Sequence, residues 1–251
     1  MTDRTAPLVL LVTGASSGIG RATAEAAARA GHKVVLAARG AEKLEAVAAE
    51  IGGGTLAVPT DVADPASVEA LFARIGETHG RLDAVFNNAG VSLPTTLVGD
   101  VSWEDWRRVV SINLDGAFLI AAAAFRMMRA QSPQGGRIVN NGSISAHAPR
   151  YGSVAYTASK HAITGLTRSL ALDGRAFSIA CGQIDIGNAA SAMTAQMTGG
   201  VPQADGEIRA EPVMDVTHVA AAVLSMIELP LASNVLFQTI MATNMPFVGR
   251  G

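Results

Sequence analysis

The sequence has little of several things that would restrict its function at once. It contains one cysteine, Cys181, among 251 residues, which excludes an intramolecular disulfide framework and favours a reducing compartment. Charged residues make up 16% of the chain and the net charge is −2, so no nucleic-acid footprint is expected. The pair Arg107 and Arg108 is interpreted as a solvated helix face rather than as a phosphate-binding patch. The five histidines lack metal-ligand spacing, so no metal site is predicted.

Long apolar runs are also missing, since no stretch approaches the roughly 18–20 residues that span a bilayer. The N-terminal apolar run at 8–12 is short and follows an acidic residue, Asp3. It leads into TGASSGIG rather than into a small-residue cleavage pattern. We therefore expect no membrane segment, no secretion signal and a cytoplasmic location.

What the sequence does contain is a regular alternation of short, β-branched apolar runs with longer alanine-rich segments. Because the runs are continuously apolar, they predict a parallel sheet covered by helices on both faces, in an α/β, Rossmann-type, doubly wound fold of about seven strands. No linker or repeat divides the chain, so we expect one domain over 1–251. Within it, the weakly periodic segment 187–211 is expected to form a substrate lid.

Strand and helix positions follow from this alternation and from capping signals. Asp64 is predicted as a helix N-cap, with Pro65 as the first helical residue. The predicted strands lie at 8–13, 33–38, 55–60, 81–90, 136–143, 177–184 and 236–241. The predicted helices lie at 18–30, 41–51, 65–79, 103–130 and 154–173.

The segment TGASSGIG, at 13–20, stands where the first strand passes into the first helix. Its glycines permit a tight turn and a close approach of backbone to ligand, and the helix N-terminus offers free N–H groups to a pyrophosphate. The alternative is a tight turn that binds nothing. We predict a dinucleotide site that includes Gly14, Ser16, Ser17, Gly18, Ile19 and Gly20.

The end of the second strand indicates which dinucleotide is bound. An acidic residue there would accept a hydrogen bond from the 2′-hydroxyl of NAD, but this chain has Ala38 followed by Arg39. A guanidinium can pair with a 2′-phosphate, so NADP(H) is the preferred cofactor and NAD(H) remains possible. The alternative for Arg39 is a surface residue that caps the strand end.

At this point the sequence resembles the short-chain dehydrogenase/reductase family over nearly its whole length. The resemblance rests on motifs that occur in the family's order and spacing: TGASSGIG at 13–20, DV at 61–62, NNAG at 87–90, Asn113, Ser143 and YTASK at 156–160. It implies a homotetramer or a homodimer. It also implies that Asp61 and Val62 border the adenine, and that Asn87, Ala89 and Gly90 support the ribose side of the cofactor. The alternative for NNAG is a polar turn that closes the fourth strand.

The YTASK segment places Tyr156 and Lys160 four residues apart, on one face of a predicted helix. The ammonium of Lys160 and the charge of an oxidised nicotinamide are expected to lower the pKa of Tyr156 towards neutral pH. Tyr156 would then exchange a proton with the substrate, and Ser143 would hydrogen-bond the substrate oxygen. The resemblance further implies that Lys160 binds the nicotinamide ribose and that Asn113 holds a water linking Lys160 to solvent.

The combination predicts an NADP(H)-dependent carbonyl reductase or alcohol dehydrogenase that acts on a small, neutral, partly apolar substrate. Taken singly, each residue also has a purely structural interpretation. Three alternatives remain: an NAD-dependent alcohol dehydrogenase, an enzyme that uses the cofactor for keto–enol or epimerisation chemistry, and a non-catalytic dinucleotide-binding regulatory protein. His147 and Tyr151 are candidates for the pocket wall, whereas His161 is interpreted as a packing or surface residue.

The segment CGQIDIGNA departs from the family pattern, in which Pro-Gly is followed, four residues after the glycine, by a threonine that holds the nicotinamide carboxamide. Aligned on CG, Cys181 replaces the proline and Ile186 the threonine. We then expect Ile184 to pack against the nicotinamide and the backbone near Ile186 to meet the carboxamide. Asn188 would supply the missing side-chain hydrogen bond.

Two methionines in the lid, Met193 and Met197, are spaced by four residues. They are expected to form apolar pocket wall. Cys181 is interpreted as a small buried hydrophobe rather than as a reactive thiol.

Overall fold

A parallel sheet of seven strands lies at the centre of the protein in a computed structural model, which describes residues 7–191, 194 and 199–248. In chain order the strands are β1 (Val9–Thr13), β2 (Lys33–Ala38), β3 (Leu56–Pro59), β4 (Ala84–Asn87), β5 (Gly136–Asn141), β6 (Ile179–Ile186), β7 (Val201–Pro202), β8 (Ile208–Arg209) and β9 (Phe237–Ile240). The main sheet has the order β3-β2-β1-β4-β5-β6-β9, with every neighbouring pair parallel. The strand order reverses between β1 and β4, so the predicted doubly wound fold is confirmed.

Helices cover both faces of this sheet. They are α1 (Gly18–Arg29), α2 (Ala41–Ile51), α3 (Pro65–His79), α4 (Trp103–Val110), α5 (Gly116–Ala130), α6 (Val154–Asp173) and α7 (Val216–Ile227). A π-helical turn, Ser111–Asp115, joins α4 to α5, so the predicted helix at 103–130 is continuous but locally widened. One apolar cluster packs α1, α2 and α7 against the sheet, and a second packs α3 and α5 against its other face.

The alternation of side chains along β1 shows why the strands had to be continuously apolar. Leu10 and Val12 belong to the first cluster, whereas Val9 and Leu11 belong to the second. All four side chains are buried, because both faces of a doubly wound sheet are covered by helices. Burial of a leucine or valine side chain contributes roughly 1.5–3 kcal/mol, so the strands hold the site on a rigid support.

The capping signals predicted for the third helix are confirmed. The carboxylate of Asp64 accepts a hydrogen bond from the backbone N–H of Ala66 at 3.1 Å, and Pro65 is the first helical residue. Gly80 ends the helix with a φ of +70°, in the left-handed region that glycine adopts at little cost.

The helical stretch Trp103–Ala130 is long and apolar enough to cross a membrane by length and composition alone, with a mean hydropathy of 1.5 over its most apolar window. The protein buries 44% of that window. Its buried residues, among them Ile120 and Met128, pack against the sheet and α3. We therefore interpret it as a core helix of the α/β fold.

Several elements differ from the sequence prediction, among them helix α7 (Val216–Ile227), which was not predicted. Strand β6 runs to Ile186, two residues beyond the predicted end at Ile184, because its last residues still pair with β9. The segment 187–211 contains a short antiparallel ribbon of β7 and β8 that weak periodicity did not indicate. Met193 and Met197 lie outside the described residues.

The Asp64 cap gives a test of the local folding argument. Asp64→Ala should lower the free energy of unfolding by about 1 kcal/mol, because it leaves an N–H of the first turn unpaired. Glu69→Ala, at an exposed position of the same helix, should change it by less than about 0.5 kcal/mol. Urea denaturation measures both, and equal effects of the two substitutions would contradict the assignment of the cap.

Candidate active site

A cavity of about 500 Å³ opens at the carboxyl edge of the sheet, where the strand order reverses. The ends of β1, β4, β5 and β6 all contribute residues to its wall, and α1 begins beside it. In open α/β sheets, ligands bind at this switch point. Its lining includes residues from each of these elements and from α6, among them Gly14, Gly18, Asn88, Ser143, Tyr156 and Ile186.

The glycines of the first turn leave room that a side chain would fill. Gly14 and Gly18 have φ of +66° and +54°, in the left-handed region. A Cβ on Gly20 would lie 2.7 Å from the amide nitrogen of Asn88, and one on Gly14 would lie 3.0 Å from it. Only glycine allows α1 to begin this close to the loop after β4. The exposed N-terminus of α1 and its free N–H groups therefore fit the pyrophosphate of a dinucleotide.

Most of the predicted cofactor residues line this cavity. They are Gly14, Ser17, Gly18, Ile19, Gly20, Ala89, Gly90, Tyr156, Lys160, Ile186 and Asn188. Six others lie outside its lining: Ser16, Arg39, Asp61, Val62, Asn87 and Ile184.

Two of these six have buried positions that turn them away from the cavity. The amide nitrogen of Asn87 donates to the carbonyl of Ala117 at 2.8 Å and to Asn140 at 3.2 Å, inside the protein. Ile184 is completely buried in the first apolar cluster, so the structure gives no support to its predicted contact with the nicotinamide.

Asn88 lines the cavity, and the sequence analysis did not select it. Its side chain donates to the carbonyl of Thr13 at 2.8 Å and accepts from Asn141 at 2.8 Å. The backbone N–H groups of Asn88 and Ala89 both donate to the hydroxyl of Thr13. These bonds lock the ends of β1, β4 and β5 together, so Asn88 builds the floor of the cradle.

The residues predicted near the adenine and its ribose lie at the strand ends beyond the cavity. Arg39 is exposed directly after β2. Asp61 accepts a hydrogen bond from Ala63 N–H at 2.9 Å, which shapes the turn after β3. Val62 is 7% exposed and packs where Gly116 leaves room for it.

The side chain of Ser143, in the segment after β5, lies close enough to Tyr156 on α6 to influence the ionisation of the phenol. The hydroxyl of Ser143 accepts from the N–H of Ser145 at 3.1 Å, which fixes its rotamer as an N-cap. Burial raises the pKa of Tyr156, while the side chain of Ser143 and the positive charge of Arg150 oppose that rise. The lowering of this pKa that is expected with an oxidised nicotinamide bound beside Lys160 stays a prediction.

Lys160 is 4% exposed and donates from Nζ to the backbone carbonyl of Asn141 at 2.6 Å. Its Nζ lies 5.5 Å from the centre of the Tyr156 ring, so the shared helical face is confirmed. Burial lowers the pKa of Lys160 to about 8, and the negative charge of Asp185 acts in the opposite direction.

Asn113 lies in the π-helical turn, a distortion that is common at functional sites. Its side chain accepts from the N–H of Val91 at 2.8 Å and donates to the carbonyl of Val91 at 2.9 Å. It also donates to the hydroxyl of Ser159 at 3.3 Å. The amide thus ties the loop after β4 to α6, and the water that it was expected to hold stays a prediction.

The side chain of Asn188 is already bound within the protein. It donates to Glu211 at 2.8 Å and accepts from Arg150 at 2.8 Å. Arg150 also forms an ion pair with Glu211 at 2.9 Å. This buried cluster joins the start of the lid segment to its end, so the expected hydrogen bond from Asn188 to the carboxamide is not supported.

The length of β6 also corrects the alignment made after the sixth strand. Cys181 pairs with Ile138 in the middle of β6, far from the strand end, and burial raises the pKa of its thiol to about 12. It is a small buried hydrophobe, as expected. The strand ends at Ile186, so Ile186-Gly187 occupies the place expected for Pro-Gly. Four residues after that glycine stands a hydroxyl residue, Ser191, which lines the cavity.

The histidine and tyrosine candidates separate into two groups. Tyr151 lines the cavity and is 49% exposed. His147 contacts Asp185 instead, at 2.8 Å. The Nδ1–H of His161 donates to the backbone carbonyl of Thr157 in its own helix. Within the described residues, no three His, Cys, Asp or Glu side chains are grouped so as to hold a metal ion.

The buried lysine gives a pH-dependent prediction. The native pKa of Lys160, about 8, lies below its ordinary value of 10.5, so the unfolded chain binds more protons between these pH values. The part of the free energy of unfolding that depends on Lys160 should therefore rise with pH across this window and stay at its lowest value below it. Relative to the wild type, Lys160→Met should lose up to about 3 kcal/mol more near pH 10 than near pH 7.

Denaturant unfolding at the two pH values measures this difference. The exposed Lys43 provides the control, since Lys43→Met should show no such dependence on pH. A difference between Lys160→Met and the wild type that stays constant with pH would contradict the account of the lysine.

Known proteins support the assignment that the geometry suggests. The sequence model of a family described as short chain dehydrogenase matches residues 8–200. A 3beta-hydroxysteroid dehydrogenase of Mediterraneibacter gnavus is 36% identical over 206 residues, which cover 81% of this chain and 74% of the relative.

Solved structures agree with the sequence relationship. The 3-ketoacyl-(acyl-carrier-protein) reductase from Brucella melitensis, complexed with NADH, has a TM-score of 0.84 at 25% identity, covering 95% of this chain and 98% of that one. The closed form of serine dehydrogenase complexed with NADP⁺ has the same fold, with a TM-score of 0.86 at 24% identity over 97% and 98% of the chains. The chain therefore belongs to the short chain dehydrogenase family of oxidoreductases.

Proposed function

We propose that this NAD(P)-dependent oxidoreductase interconverts a carbonyl compound and a secondary alcohol, with NADP(H) as its preferred cofactor and Tyr156 as general acid and base. The observation that carries the proposal is that Ser143, Tyr156 and Lys160 line one cavity beside the glycine cradle, with Lys160 and Tyr156 on the same helical face. A binding protein would not need this arrangement of proton-transfer groups.

The bound cofactor supplies or accepts the hydride, and the chain's own residues do the rest. The glycine turn and the N-terminus of α1 would hold the pyrophosphate. Ser143 would donate a hydrogen bond to the substrate oxygen, where negative charge develops as a carbonyl is reduced. Tyr156 would donate its phenolic proton to that oxygen, and Lys160 would hold the nicotinamide ribose.

The direction of the tyrosine pKa favours one step of this chemistry in particular. Because burial raises the pKa of Tyr156, the phenol is protonated near neutral pH. A protonated tyrosine is the form required to donate a proton to a carbonyl. For alcohol oxidation, the tyrosine must first lose that proton, so a positive charge close to it has to offset the cost of burial. Arg150 supplies part of that charge.

The preference for NADP(H) rests on the end of β2. Ala38 ends that strand and the exposed Arg39 follows it, so no carboxylate stands where it would repel a 2′-phosphate. A guanidinium at this place can pair with the phosphate. Relatives of this fold have been solved with either dinucleotide, so the preference depends on this residue.

The substrate is inferred to be a neutral, partly apolar carbonyl compound. The substrate end of the cavity has apolar lining from Leu93 and Pro94, after β4, and from Val201 and Pro202, in β7. The cation near it, Arg150, is paired with Glu211, so the charge that it presents to a substrate is largely compensated. The name of the steroid-dehydrogenase relative is consistent with a cyclic alcohol or ketone.

The remaining expectations form part of the same proposal. We infer one domain in which the segment 187–211 covers the substrate end of the cavity, since Asn188, Ser191 and Val201 line it. A homotetramer or homodimer is supported by exposed apolar side chains on α4 and α5, Trp103 and Phe118. A single cysteine, the buried Cys181, is consistent with the cytoplasm.

The tyrosine assignment is tested by Tyr156→Phe, which removes only the phenolic oxygen. Reduction of cyclohexanone and of a 3-ketosteroid by NADPH should fall by at least about a thousandfold in kcat, because proton donation is lost. The dissociation constant for NADPH, measured by fluorescence titration, should stay within about threefold.

The chain offers a matched control, because it contains only two tyrosines. Tyr151→Phe removes the same atom from an exposed side chain, and the variant should retain measurable turnover. Near-normal rates in Tyr156→Phe would exclude it as the acid.

The cofactor assignment is tested by Arg39→Asp. The ratio of kcat/KM for NADPH to that for NADH should fall by at least about a hundredfold, since a favourable charge pair with the 2′-phosphate becomes a repulsive one. Arg74→Asp makes the same charge change at a distant, exposed position of α3 and should leave the ratio unaltered. A lower KM for NADH than for NADPH in the wild type would overturn the preference.

A further inference from the structure

The residue that the motifs leave unexplained is Asp185, the only acidic residue in the strands of the described part of the chain. It stands next to the carboxyl end of β6 and its side chain is 1% exposed. A buried carboxylate costs several kcal/mol unless hydrogen bonds and opposite charges compensate it. Its partners therefore show what it does.

Three donors face the carboxylate of Asp185. Oδ1 accepts from the backbone N–H of Ser143 at 3.1 Å and from the amide of Gln183 at 2.7 Å. Oδ2 lies 2.8 Å from Nε2 of His147. Two of the three donors therefore belong to the segment 142–147, which carries the catalytic serine.

The backbone at the start of this segment is shaped around the same carboxylate. Gly142 donates its N–H to the carbonyl of Ile184 at 2.8 Å, which continues the pairing of β5 with β6. A Cβ on Gly142 would collide with Oδ1 of Asp185 and would lie 2.7 Å from the amide nitrogen of Gln183. Glycine at 142 therefore lets the carboxylate approach the N–H of Ser143.

The charged and titratable groups around this carboxylate come from two elements besides its own strand. The loop after β5 contributes His147, which is charged only when it is protonated. Helix α6 contributes Lys160, whose pKa is raised by the negative charge of Asp185 against the effect of burial. Tyr156, on the same helix, has its pKa lowered by the nearby side chain of Ser143 against the effect of burial. Asp185 thus acts on Tyr156 through Ser143 and on Lys160 through its own charge.

We propose that Asp185 is a positioning residue of the active site: its carboxylate, held between Ser143 N–H and His147, fixes the serine and supplies the negative charge that faces Lys160. This inference rests on the proposed function. Loss of the carboxylate would allow the segment 142–147 to move, so Ser143 and Tyr156 would lose their alignment. Loss of the charge alone would weaken the hold on the segment only in part, but it would make Lys160 easier to deprotonate.

Two substitutions separate these effects. Asp185→Asn keeps the shape and one acceptor oxygen but removes the charge, whereas Asp185→Ala removes both. Asp173→Asn, at the exposed far end of α6, gives the same change in net charge and serves as the control. The first readout is amide hydrogen exchange of the segment 142–147 in the NADPH complex, which requires no turnover.

Exchange should be at least about tenfold faster in Asp185→Ala than in the wild type, with partial protection restored in Asp185→Asn. The second readout is the pH profile of kcat/KM for cyclohexanone reduction. In Asp185→Asn, the limb that reports the pKa of Lys160, about 8 in the wild type, should move to lower pH, whereas Asp173→Asn should leave it in place.

A third readout shows that Asp185 acts through Ser143. In the background of Ser143→Ala, adding Asp185→Ala should lower kcat by clearly less than it does in the presence of Ser143, because the group that it positions is absent. Full additivity of the two substitutions would overturn the proposal. So would unchanged exchange in Asp185→Ala, or an unchanged pH profile in Asp185→Asn.

Failure of the proposed function can be distinguished from failure of this inference. If the wild type reduces no ketone, the catalytic proposal fails, while hydrogen exchange still tests whether the carboxylate holds the segment. Should Asp185→Ala not fold, Asp185→Asn carries both the exchange measurement and the pH profile. In that variant, loss of protection relative to the wild type together with a profile moved to lower pH supports the proposal, and an unchanged profile contradicts it.

Discussion

The hydrogen bond from Lys160 to the carbonyl of Asn141, 2.6 Å long, is the contact on which the rest of the site depends. It ties α6 to the last residue of β5, so every side chain on that face of the helix has a fixed distance to the sheet edge. Ser143 follows Asn141 by two residues, and Tyr156 precedes Lys160 by one helical turn. Ser143 is held in turn by Asp185, which accepts from its N–H, and by Ser145, whose N–H donates to its hydroxyl. Both proposed catalytic groups therefore have fixed positions, which is what precise positioning of a reacting proton requires.

Burial shifts the two ionisable groups in opposite senses. It favours the neutral phenol of Tyr156 and the neutral amine of Lys160, so the pKa of the first is raised and that of the second is lowered. Burial therefore brings the pKa of Lys160 nearer to neutral pH and moves the pKa of Tyr156 further from it. The pKa of Tyr156 can be lowered only by the groups around it, and Ser143 and Arg150 both act in that direction. The negative charge of Asp185, in β6, raises the pKa of Lys160 against the effect of burial.

Much of this could be predicted from the sequence, because it depends on local patterns. Continuous apolar runs gave the parallel sheet, the cap at Asp64 marked a helix start, and the spacing of Tyr156 and Lys160 placed both on one face. What could not be predicted depends on long-range packing. Whether Asn87 or Asn88 faces the cavity depends on which side of strand β4 is covered by helix α5. The partners of Asn188, Arg150 and Glu211, come from separate segments of the chain. The end of β6 moved by two residues because β9 pairs with it. The sequence did contain one unused signal, an aspartate inside an otherwise apolar strand.

The most direct test of the account is transfer of an isotope from the cofactor to the product. NADPH deuterated at C4 of the nicotinamide, prepared separately on each of the two faces, is incubated with the wild-type protein and cyclohexanone, and the alcohol is analysed by mass spectrometry. We predict that one of the two labelled cofactors delivers its deuterium to the carbinol carbon and that the other delivers none. Alcohol that lacks deuterium with both cofactors, or no alcohol at all, would contradict direct hydride transfer at this site.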